Sequence, residues 1–252
     1  MNVFDKVRGH TFLKNAIGKS PIIVDLGANH GDFSRELRNR FGGKYFLYEA
    51  NPKLAATLPS DNNQCVVNAA VSIASGTVKF NVAKNDEASS ILQLPQESVY
   101  NAIVLETVEV PSLNLDDIIK SIPGEIINLV KVDIEGAEAE ILSNCSQESL
   151  DRIGQITVEF HCDPSFGFNL LQATNNAIKR IRRAGFVYID FSGGNMNNVL
   201  FINRRLHDIS RFKEISWRFR QCPPESLLFL WRLVPNSFRR FIRRHLDTAT
   251  NL

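Results

Sequence analysis

The segment 22–41 constrains the fold of this chain more than any other part of its sequence. Three apolar residues lead into Asp25 and then into a turn that contains Gly27 and Gly31. A helical pattern follows at once over residues 32–41. A strand that delivers a tight turn to a helix N-terminus is typical of α/β folds, and its exposed backbone N–H groups can face a ligand.

The acid that ends the second predicted strand, Glu49, indicates a nucleoside ligand at this turn. The strand covers residues 45–49, and Glu49 follows Gly31 by eighteen positions. That interval is typical of folds in which a carboxylate accepts hydrogen bonds from the two ribose hydroxyls. Asn68, at the end of the third predicted strand, is a candidate contact for the adenine edge, although a turn-forming asparagine explains it as well.

The spacing of the glycines favours a ligand without a phosphate. Dinucleotide enzymes typically carry G-x-G-x-x-G, which lets a pyrophosphate approach the backbone, whereas here Gly27 and Gly31 flank Asn29. S-adenosylmethionine has a ribose, an adenine and a zwitterionic amino-acid tail, and Asp25 is a candidate to hold its ammonium group, directly or through water. The predicted cofactor-binding residues are Asp25, Gly27, Asn29, Gly31, Glu49, Asn68 and Asp133.

Acids and a histidine follow two further predicted strands. Asp133 and Glu135 come after the fourth strand, and Glu159 and His161 end the fifth. Because parallel strands end at one edge of a sheet, we expect these side chains to share a crevice. We predict His161 or Asp133 as a catalytic base, with Glu135 and Glu159 orienting an acceptor or an ion. Glu138 is interpreted as a complement to the helix dipole.

A divalent metal ion at these four residues is an alternative that we favour less. Carboxylates and an imidazole are suitable ligands for such an ion. One carboxylate and one imidazole are nevertheless enough for proton transfer, so we predict no metal ligands.

The pattern of short apolar runs predicts seven strands that alternate with helices. The strands cover residues 22–26, 45–49, 65–70, 126–133, 156–161, 186–191 and 198–203. The helices cover residues 32–41, 135–144 and 170–184. Alternation of this kind predicts an α/β fold with a mostly parallel sheet. The last two strands are joined without a helix, which predicts an antiparallel hairpin at the sheet edge.

One segment interrupts this alternation. Residues 76–82 alternate with a period of two, and residues 107–111 resemble another short strand. A polar stretch over residues 85–90 lies between them. We expect an inserted β-element there, with a mobile loop near the ligand.

The C-terminal part of the chain is basic, although the net charge of the whole chain is only +2. Residues 205–246 hold ten Lys or Arg against three Asp or Glu. Phe212, Ile215 and Phe219 are spaced for a helix, as are Phe238, Phe241, Ile242 and Leu246. A basic amphipathic extension over residues 205–252 suits peripheral contact with an anionic membrane. A solvated helix pair on the main domain explains the pattern equally well, and nucleic acid ranks last because no binding motif accompanies the charge.

Cysteine usage and the first residues suggest a cytoplasmic protein, with the inner membrane surface as a further location for the basic extension. The four cysteines form no C-x-x-C pair, which favours free thiols in a reducing compartment. Residues 1–14 hold no apolar run typical of a signal peptide.

Several blocks of the sequence resemble the FkbM family of S-adenosylmethionine-dependent methyltransferases. Residues 24–31 resemble its cofactor loop, residues 49–52 its ribose-binding acid, and residues 131–138 its most recognisable block. Shorter matches lie at residues 68–71, 89–90 and 115–119. The resemblance covers about residues 20–204, with Asn114 where a threonine is common, and leaves out residues 205–252.

The resemblance implies a Rossmann-like class I methyltransferase domain over residues 1–204. It implies O-methylation of a hydroxyl on a sugar, glycolipid or polyketide-like acceptor. Two rival classes stay open on the sequence alone: an NAD-dependent oxidoreductase, and a non-catalytic nucleoside-binding module on the same fold. The oligomeric state and the identity of the acceptor are not predicted.

Overall fold

The computed structural model describes residues 3–85, 89–92, 103–162 and 169–221. The strands in this part of the chain are β1 (Phe4–Val7), β2 (His10–Leu13), β3 (Ile22–Leu26), β4 (Lys44–Glu49), β5 (Gln64–Asn68), β6 (Ala70–Ser72), β7 (Gly76–Ala83), β8 (Val104–Asn114), β9 (Leu129–Val132), β10 (Gln155–Val158), β11 (Phe186–Asp190) and β12 (Val199–Asn203). The helices are α1 (Asp32–Phe41), α2 (Pro52–Ala55), α3 (Leu115–Ser121), α4 (Glu138–Asn144), α5 (Gln147–Asp151), α6 (Leu171–Arg183), α7 (Arg204–His207) and α8 (Arg211–Gln221).

Seven of these strands form the main sheet, in the order β11-β12-β10-β9-β3-β4-β5. The pairs from β10 to β5 are parallel, and β12 runs antiparallel to both of its neighbours. The prediction of seven strands with an antiparallel last strand is therefore confirmed. The chain moves outward from β3 in one direction through β4 and β5 and in the other through β9 and β10, which makes the β3–β9 boundary the point where the strand order reverses.

Two layers cover the main sheet because its central strands are apolar on both faces. On one face, buried Ile23 and Leu129 pack with Phe33 and Leu37 of α1. On the other face, residues such as Val130 pack in one cluster with side chains from α3, α4 and α6. The carboxyl ends of β3, β4, β9 and β10 are left between these layers at one edge.

An N-terminal hairpin that the sequence analysis did not predict joins the first layer. Strands β1 and β2 pair antiparallel around a two-residue turn, Arg8 and Gly9, in which both φ angles are positive (46° and 89°). Buried amide side chains anchor β2 to the sheet: the Leu13 N–H donates to Gln155 Oε1 (2.8 Å) and the Thr11 N–H to Asn198 Oδ1 (3.0 Å). The hairpin turn is thereby held at a fixed place on the domain.

Helix α4 begins three residues later than predicted. Glu135 and Gly136 both have positive φ angles (56° and 111°), which are incompatible with a right-handed helix, so α4 starts at Glu138. The predicted strands 126–133 and 156–161 are likewise too long, since β9 ends at Val132 and β10 at Val158. The four predicted catalytic residues therefore lie on short irregular segments beyond β9 and β10: Asp133, Glu135, Glu159 and His161.

The predicted inserted β-element is confirmed as a separate sheet in the order β6-β8-β7. Ser90 ties this element to the strand ends of the main sheet, because its Oγ donates to the Glu135 carbonyl oxygen at 2.6 Å. Residues 86–88 of the predicted polar loop lie outside the described residues.

The chain divides into one compact unit over Met1–Ser210 and a second unit that begins at Arg211. Helix α8, in the second unit, contains Phe212, Ile215 and Phe219 at the predicted helical spacing. The other predicted amphipathic positions, Phe238, Phe241, Ile242 and Leu246, lie outside the described residues, so the predicted membrane contact of 205–246 stays a prediction. No helix within the described ranges is long and apolar enough to cross a membrane.

Candidate active site

A cavity of about 410 Å³ lies at the carboxyl ends of β3, β4, β9 and β10. Its position matches the point where the strand order reverses, which is where open α/β sheets bind ligands. The predicted site residues that line it are Gly27, Asn29, Glu49, Asp133, Glu135, Glu159 and His161. Asp25, Gly31 and Asn68 do not line it.

The turn between β3 and α1 has its shape because of two glycines. Gly27 has φ 78°, and a Cβ atom there would lie 1.8 Å from the Asp133 carbonyl oxygen. Gly31 has φ 71°, and a Cβ atom there would lie 2.8 Å from Leu58 Cδ2. Gly27 thus lets two strand ends approach each other beside the cavity, whereas Gly31 lets α1 begin against the protein core.

Glu49 is a buried acid with its carboxylate facing the cavity. Its Oε2 accepts from the Asn29 N–H at 2.7 Å and its Oε1 from the Asn51 N–H at 2.8 Å. Burial raises the pKa of Glu49, although these two backbone N–H groups oppose the shift. Each carboxylate oxygen has two lone pairs, so each can accept a further hydrogen bond from a ligand hydroxyl.

Asn68 and Asp25 are both engaged by protein groups and do not line the cavity. The Asn68 amide nitrogen donates to the carbonyl oxygens of Glu49 and Ala50 (2.8 and 3.0 Å), which holds the end of β4. Asp25 is fully buried, and its Oδ2 accepts from Ser34 Oγ at 2.6 Å. A contact of Asn68 with a cofactor, and one of Asp25 directly or through water, therefore stay predictions.

The partner of Asp25 is a buried cation that the sequence analysis missed. Lys131 Nζ lies 3.3 Å from Asp25 Oδ1 and 3.3 Å from Asp133 Oδ2, and it donates to the Gly27 carbonyl oxygen at 2.7 Å. Burial opposes the charged form of Lys131, but the two carboxylates outweigh burial and raise its pKa. One ammonium group therefore joins the β3 turn to the end of β9. The sequence signal was a lysine inside an otherwise apolar strand.

The four predicted catalytic residues come together, as expected from their strand ends. His161 Nε2 lies 3.2 Å from Glu135 Oε2 and 3.9 Å from Asp133 Oδ1. Glu159 lines the same cavity. The segment that carries Glu135 has a left-handed backbone at this non-glycine residue (φ 56°), which is an uncommon conformation that concentrates at functional sites.

Glu138 has a role that its first-turn position did not reveal. It is 1% exposed, and its Oε1 lies 2.9 Å from His161 Nδ1. The same oxygen accepts from the N–H groups of Ile134 and Gly136 (3.1 and 2.9 Å). Glu138 therefore fixes both the irregular turn after β9 and the orientation of the His161 ring.

The protonation states of this cluster follow from burial and neighbouring charges. Burial opposes the charged form of His161, but Glu138, Glu135 and Asp133 outweigh it and raise the pKa of His161 to about 10. Burial and nearby carboxylates raise the pKa of Glu135 to about 8 and that of Glu159 to about 7. His161 is therefore cationic near neutral pH, whereas Glu135 and Glu159 gain or lose a proton close to neutrality.

Asp133 differs from the other carboxylates because cations surround it. Burial alone would raise its pKa, but Lys131 and then His10 outweigh burial and lower it. An ionised, strongly stabilised carboxylate is a weak base. The sequence-based choice between His161 and Asp133 as base therefore turns against Asp133.

His10 is a second residue that the sequence analysis missed. It lies on β2, is 2% exposed, and places Nε2 3.4 Å from Asp133 Oδ2. Burial lowers the pKa of His10, which favours a neutral ring that donates from Nε2 to Asp133. No local motif marks this histidine, because the hairpin that positions it is recognised only in the folded domain.

Within the described part of the chain, two overlapping groups of side chains offer three ligand atoms each to a metal ion. One group is His10, Asp133 and Glu159, and the other is Asp133, Glu135 and His161, with ligand atoms within 4.8 Å of one another. Both groups depend on Asp133, which Lys131 already neutralises at 3.3 Å. The prediction that no metal is bound stays a prediction.

Comparisons with known proteins identify relatives of this chain. The family model described as the Methyltransferase FkbM domain matches residues 25–188. The 2-O-methyltransferase NoeI of Sinorhizobium fredii (strain NBRC 101917 / NGR234) is 26% identical over 155 residues. That match covers 56% of this chain and 63% of the relative, which is less than two thirds of its length.

Solved structures of low sequence identity show a weak overall similarity. A chain of the complex between the Trm112 methyltransferase activator of Haloferax volcanii and a methyltransferase is 11% identical, covers 75% of this chain and 88% of its own length, and has a TM-score of 0.36. A structure described as a sarcosine dimethylglycine methyltransferase from Galdieria sulphuraria is 12% identical, with coverage of 92% and 73% and a TM-score of 0.36. Because the family model spans well over half of the 252 residues, this chain belongs to the FkbM methyltransferase domain family.

Proposed function

We propose that this methyltransferase transfers a methyl group from S-adenosylmethionine to a hydroxyl oxygen of a sugar-like acceptor. The observation that carries the proposal is that one cavity is lined both by Glu49 and by the His161–Glu135 pair. Glu49 is suited to bind a ribose, and the His161–Glu135 pair is suited to remove a proton from a hydroxyl. The name of the relative NoeI, a 2-O-methyltransferase, supports a hydroxyl acceptor.

The residues of the cavity fit the proposed methyl donor. Its volume, about 410 Å³, is in the usual range for small-molecule sites. Glu49 offers two carboxylate oxygens as acceptors to the hydroxyls of a ribose. The apolar side chains of Ala70, Val71 and Phe80 line the part of the cavity that would take an adenine. The spacing of Gly27 and Gly31, which differs from the G-x-G-x-x-G of dinucleotide sites, and the family match favour S-adenosylmethionine over the cofactor of an NAD-dependent oxidoreductase.

The chain's own residues have separable roles in the proposed reaction. Bound S-adenosylmethionine supplies an electrophilic methyl group. The acceptor oxygen must lose a proton as it is methylated. His161 is already protonated near neutral pH, so in place of His161 or Asp133 the ionised form of Glu135, with its pKa of about 8, is proposed to receive that proton. His161 donates to Glu135 from Nε2 and stabilises its charged form. Glu159 is proposed to orient the acceptor at the same edge.

Calorimetry with S-adenosylmethionine and S-adenosylhomocysteine tests the cofactor. We expect both compounds to bind to the wild type. Glu49→Gln should lower the affinity for both by about tenfold, because the ribose hydroxyls lose a charged hydrogen-bond acceptor. Glu125→Gln, at an exposed position away from the cavity, is the matched control. Absence of binding to folded wild-type protein would remove the proposal.

Methyl transfer itself is tested with isotopically labelled donor and a panel of glycosides and glycolipids, with mass gain as the readout. In His161→Ala we expect turnover to fall by about a hundredfold or more, while donor affinity stays nearly intact. Unchanged turnover would exclude His161 from the reaction. A non-catalytic module predicts that no compound gains mass with the wild type.

A further inference from the structure

We propose that Arg8, in the turn of the N-terminal hairpin, binds the carboxylate of the methyl donor's amino-acid end. The inference rests on the proposed function. It assigns a binding role to a residue outside the family match, which starts at residue 25.

The hairpin turn is a rigid part of the cavity rim. Arg8 and His10 both line the cavity, one from the turn and one from β2. Every residue of β2 is buried, and Gln155 and Asn198 hold its backbone at 2.8 and 3.0 Å. A ligand group that meets Arg8 therefore meets a backbone that the core has already fixed, which lowers the entropy lost on binding.

Arg8 has the charge and the exposure that a carboxylate requires. The lysine and arginine side chains of the described cavity lining are Arg8 and Lys131. Lys131 is 6% exposed and lies between two carboxylates, whereas the Arg8 side chain is 57% exposed. A guanidinium group has five N–H donors and binds carboxylates in a bidentate manner.

Asp32 positions the Arg8 guanidinium group beside the turn between β3 and α1. Arg8 Nη2 lies 3.1 Å from Asp32 Oδ2, and Arg8 Nε lies 4.0 Å from Glu36 Oε2. Asp32 is the first residue of α1, a ten-residue helix whose N-terminal N–H groups favour an anion. Asp32 and Glu36 partly neutralise Arg8, but Arg35 and Arg40 pair with the same two carboxylates. The corner formed by Arg8 and the start of α1 therefore stays open to an anion.

The layout of the cavity puts the amino-acid end of the donor at this corner. Glu49, at the end of β4, would hold the ribose, and the His161–Glu135 pair beyond β9 marks the methyl end. The amino-acid chain leaves the sulfur atom in a third direction, away from both the adenosyl group and the methyl group. We assign it to the β3–α1 side of the cavity, where Arg8 pairs with Asp32 at the start of α1. Arg8 borders the cavity there.

Two donor analogues isolate the carboxylate. S-adenosylmethionine and decarboxylated S-adenosylmethionine share the adenosine, the sulfonium and the ammonium, and differ in that one group. We expect Arg8→Gln to lower the affinity for S-adenosylmethionine by about tenfold in calorimetry. The affinity for the decarboxylated form should stay within about twofold of the wild-type value. Arg35→Gln is the matched control, because Arg35 also pairs with Asp32 but does not line the cavity. It should change neither affinity.

The possible failures point to different conclusions. If Arg8→Gln weakens both compounds equally, or neither, while the wild type binds S-adenosylmethionine, the assignment of Arg8 is overturned and the proposed function stands. If the wild type binds neither compound, the proposed function and the assignment are overturned together.

Discussion

His161 Nδ1 lies 2.9 Å from Glu138 Oε1 inside the protein, where both side chains are at least 96% buried. A buried carboxylate next to one ring nitrogen fixes the orientation of an imidazole and determines which face of the cavity the other nitrogen meets. Here the other nitrogen, Nε2, lies 3.2 Å from Glu135. Glu138 is therefore a positioning residue for the pair that we propose to move the acceptor's proton.

Glu138→Gln should lower the pKa of His161 below about 10, because the charge that opposes burial is removed. We expect turnover to fall by about tenfold and donor affinity to change by less than about twofold. The pKa is measured by NMR titration of the ring signals. Glu140→Gln, at an exposed position of the same helix, is the control. A variant with the same His161 pKa as the wild type would contradict the role of Glu138.

Glu135→Gln should change how stability depends on pH. The pKa of Glu135 is about 8 in the folded protein against 4.5 for the ordinary group, so the folded state keeps a proton that the unfolded state has released. The wild type therefore loses stability from this group as pH rises from about 4.5 through about 8, and Gln does not ionise. At about pH 4.5, Glu135→Gln and the wild type should have similar free energies of unfolding. At about pH 8.5, the variant should be more stable by at least ~1 kcal/mol.

Urea unfolding at several pH values measures this difference. The variant should also lose most of its turnover, since Glu135 is the proposed proton acceptor. A stability difference that is constant across the pH range would mean that Glu135 is not held protonated by its surroundings.

The gathering of Asp133, Glu135, Glu159 and His161 could be predicted because parallel strands end at one edge, and short apolar runs mark those ends. Glu49 was predictable for the same reason. The glycine pattern also located the turn at Gly27. These inferences needed only local patterns and the geometry common to parallel sheets.

The remaining parts of the site depend on contacts between segments far apart in sequence. His10 reaches Asp133 across 123 positions, through a hairpin whose anchors are on β10 and next to β12. The late start of α4 follows from the positive φ of Glu135, a strained conformation that propensity does not predict. Asp25 looked like a ligand contact, but Lys131 and Ser34 enclose it in the core.

Gly27→Ala should unfold the protein or displace the end of β9. Its Cβ would lie 1.8 Å from the Asp133 carbonyl oxygen, in addition to the cost of a left-handed backbone. We expect a loss of about 3 kcal/mol or more in the free energy of unfolding. Gly193→Ala isolates the backbone cost, because Gly193 has φ 70° with nothing within 4 Å of its Cβ position. Gly193→Ala should lower the free energy of unfolding by only about 1–2 kcal/mol. Equal losses in Gly27→Ala and Gly193→Ala would mean that the close approach to Asp133 is unimportant.

Lys131→Met should destabilise the protein by about 3–5 kcal/mol, because Asp25 and Asp133 are left without their shared cation. Adding Asp25→Asn should restore part of this loss, since it removes one of the two uncompensated charges. Lys120→Met, at an exposed position of α3, is the control. Thermal and urea unfolding measure these three variants and Asp25→Asn alone. Strictly additive losses in the double variant would argue against the ion pair.

Removal of divalent metal should leave turnover unchanged within about twofold. A metal ion in this cluster would serve to neutralise carboxylates and orient a hydroxyl, and two protein groups already supply positive charge there. Lys131 neutralises Asp133 at 3.3 Å, and His161 is held cationic beside Glu135. Turnover is compared before and after dialysis against EDTA, and again after adding Mg²⁺ or Mn²⁺. A loss that either ion restores would mean that a metal binds at one of the two described groups that share Asp133.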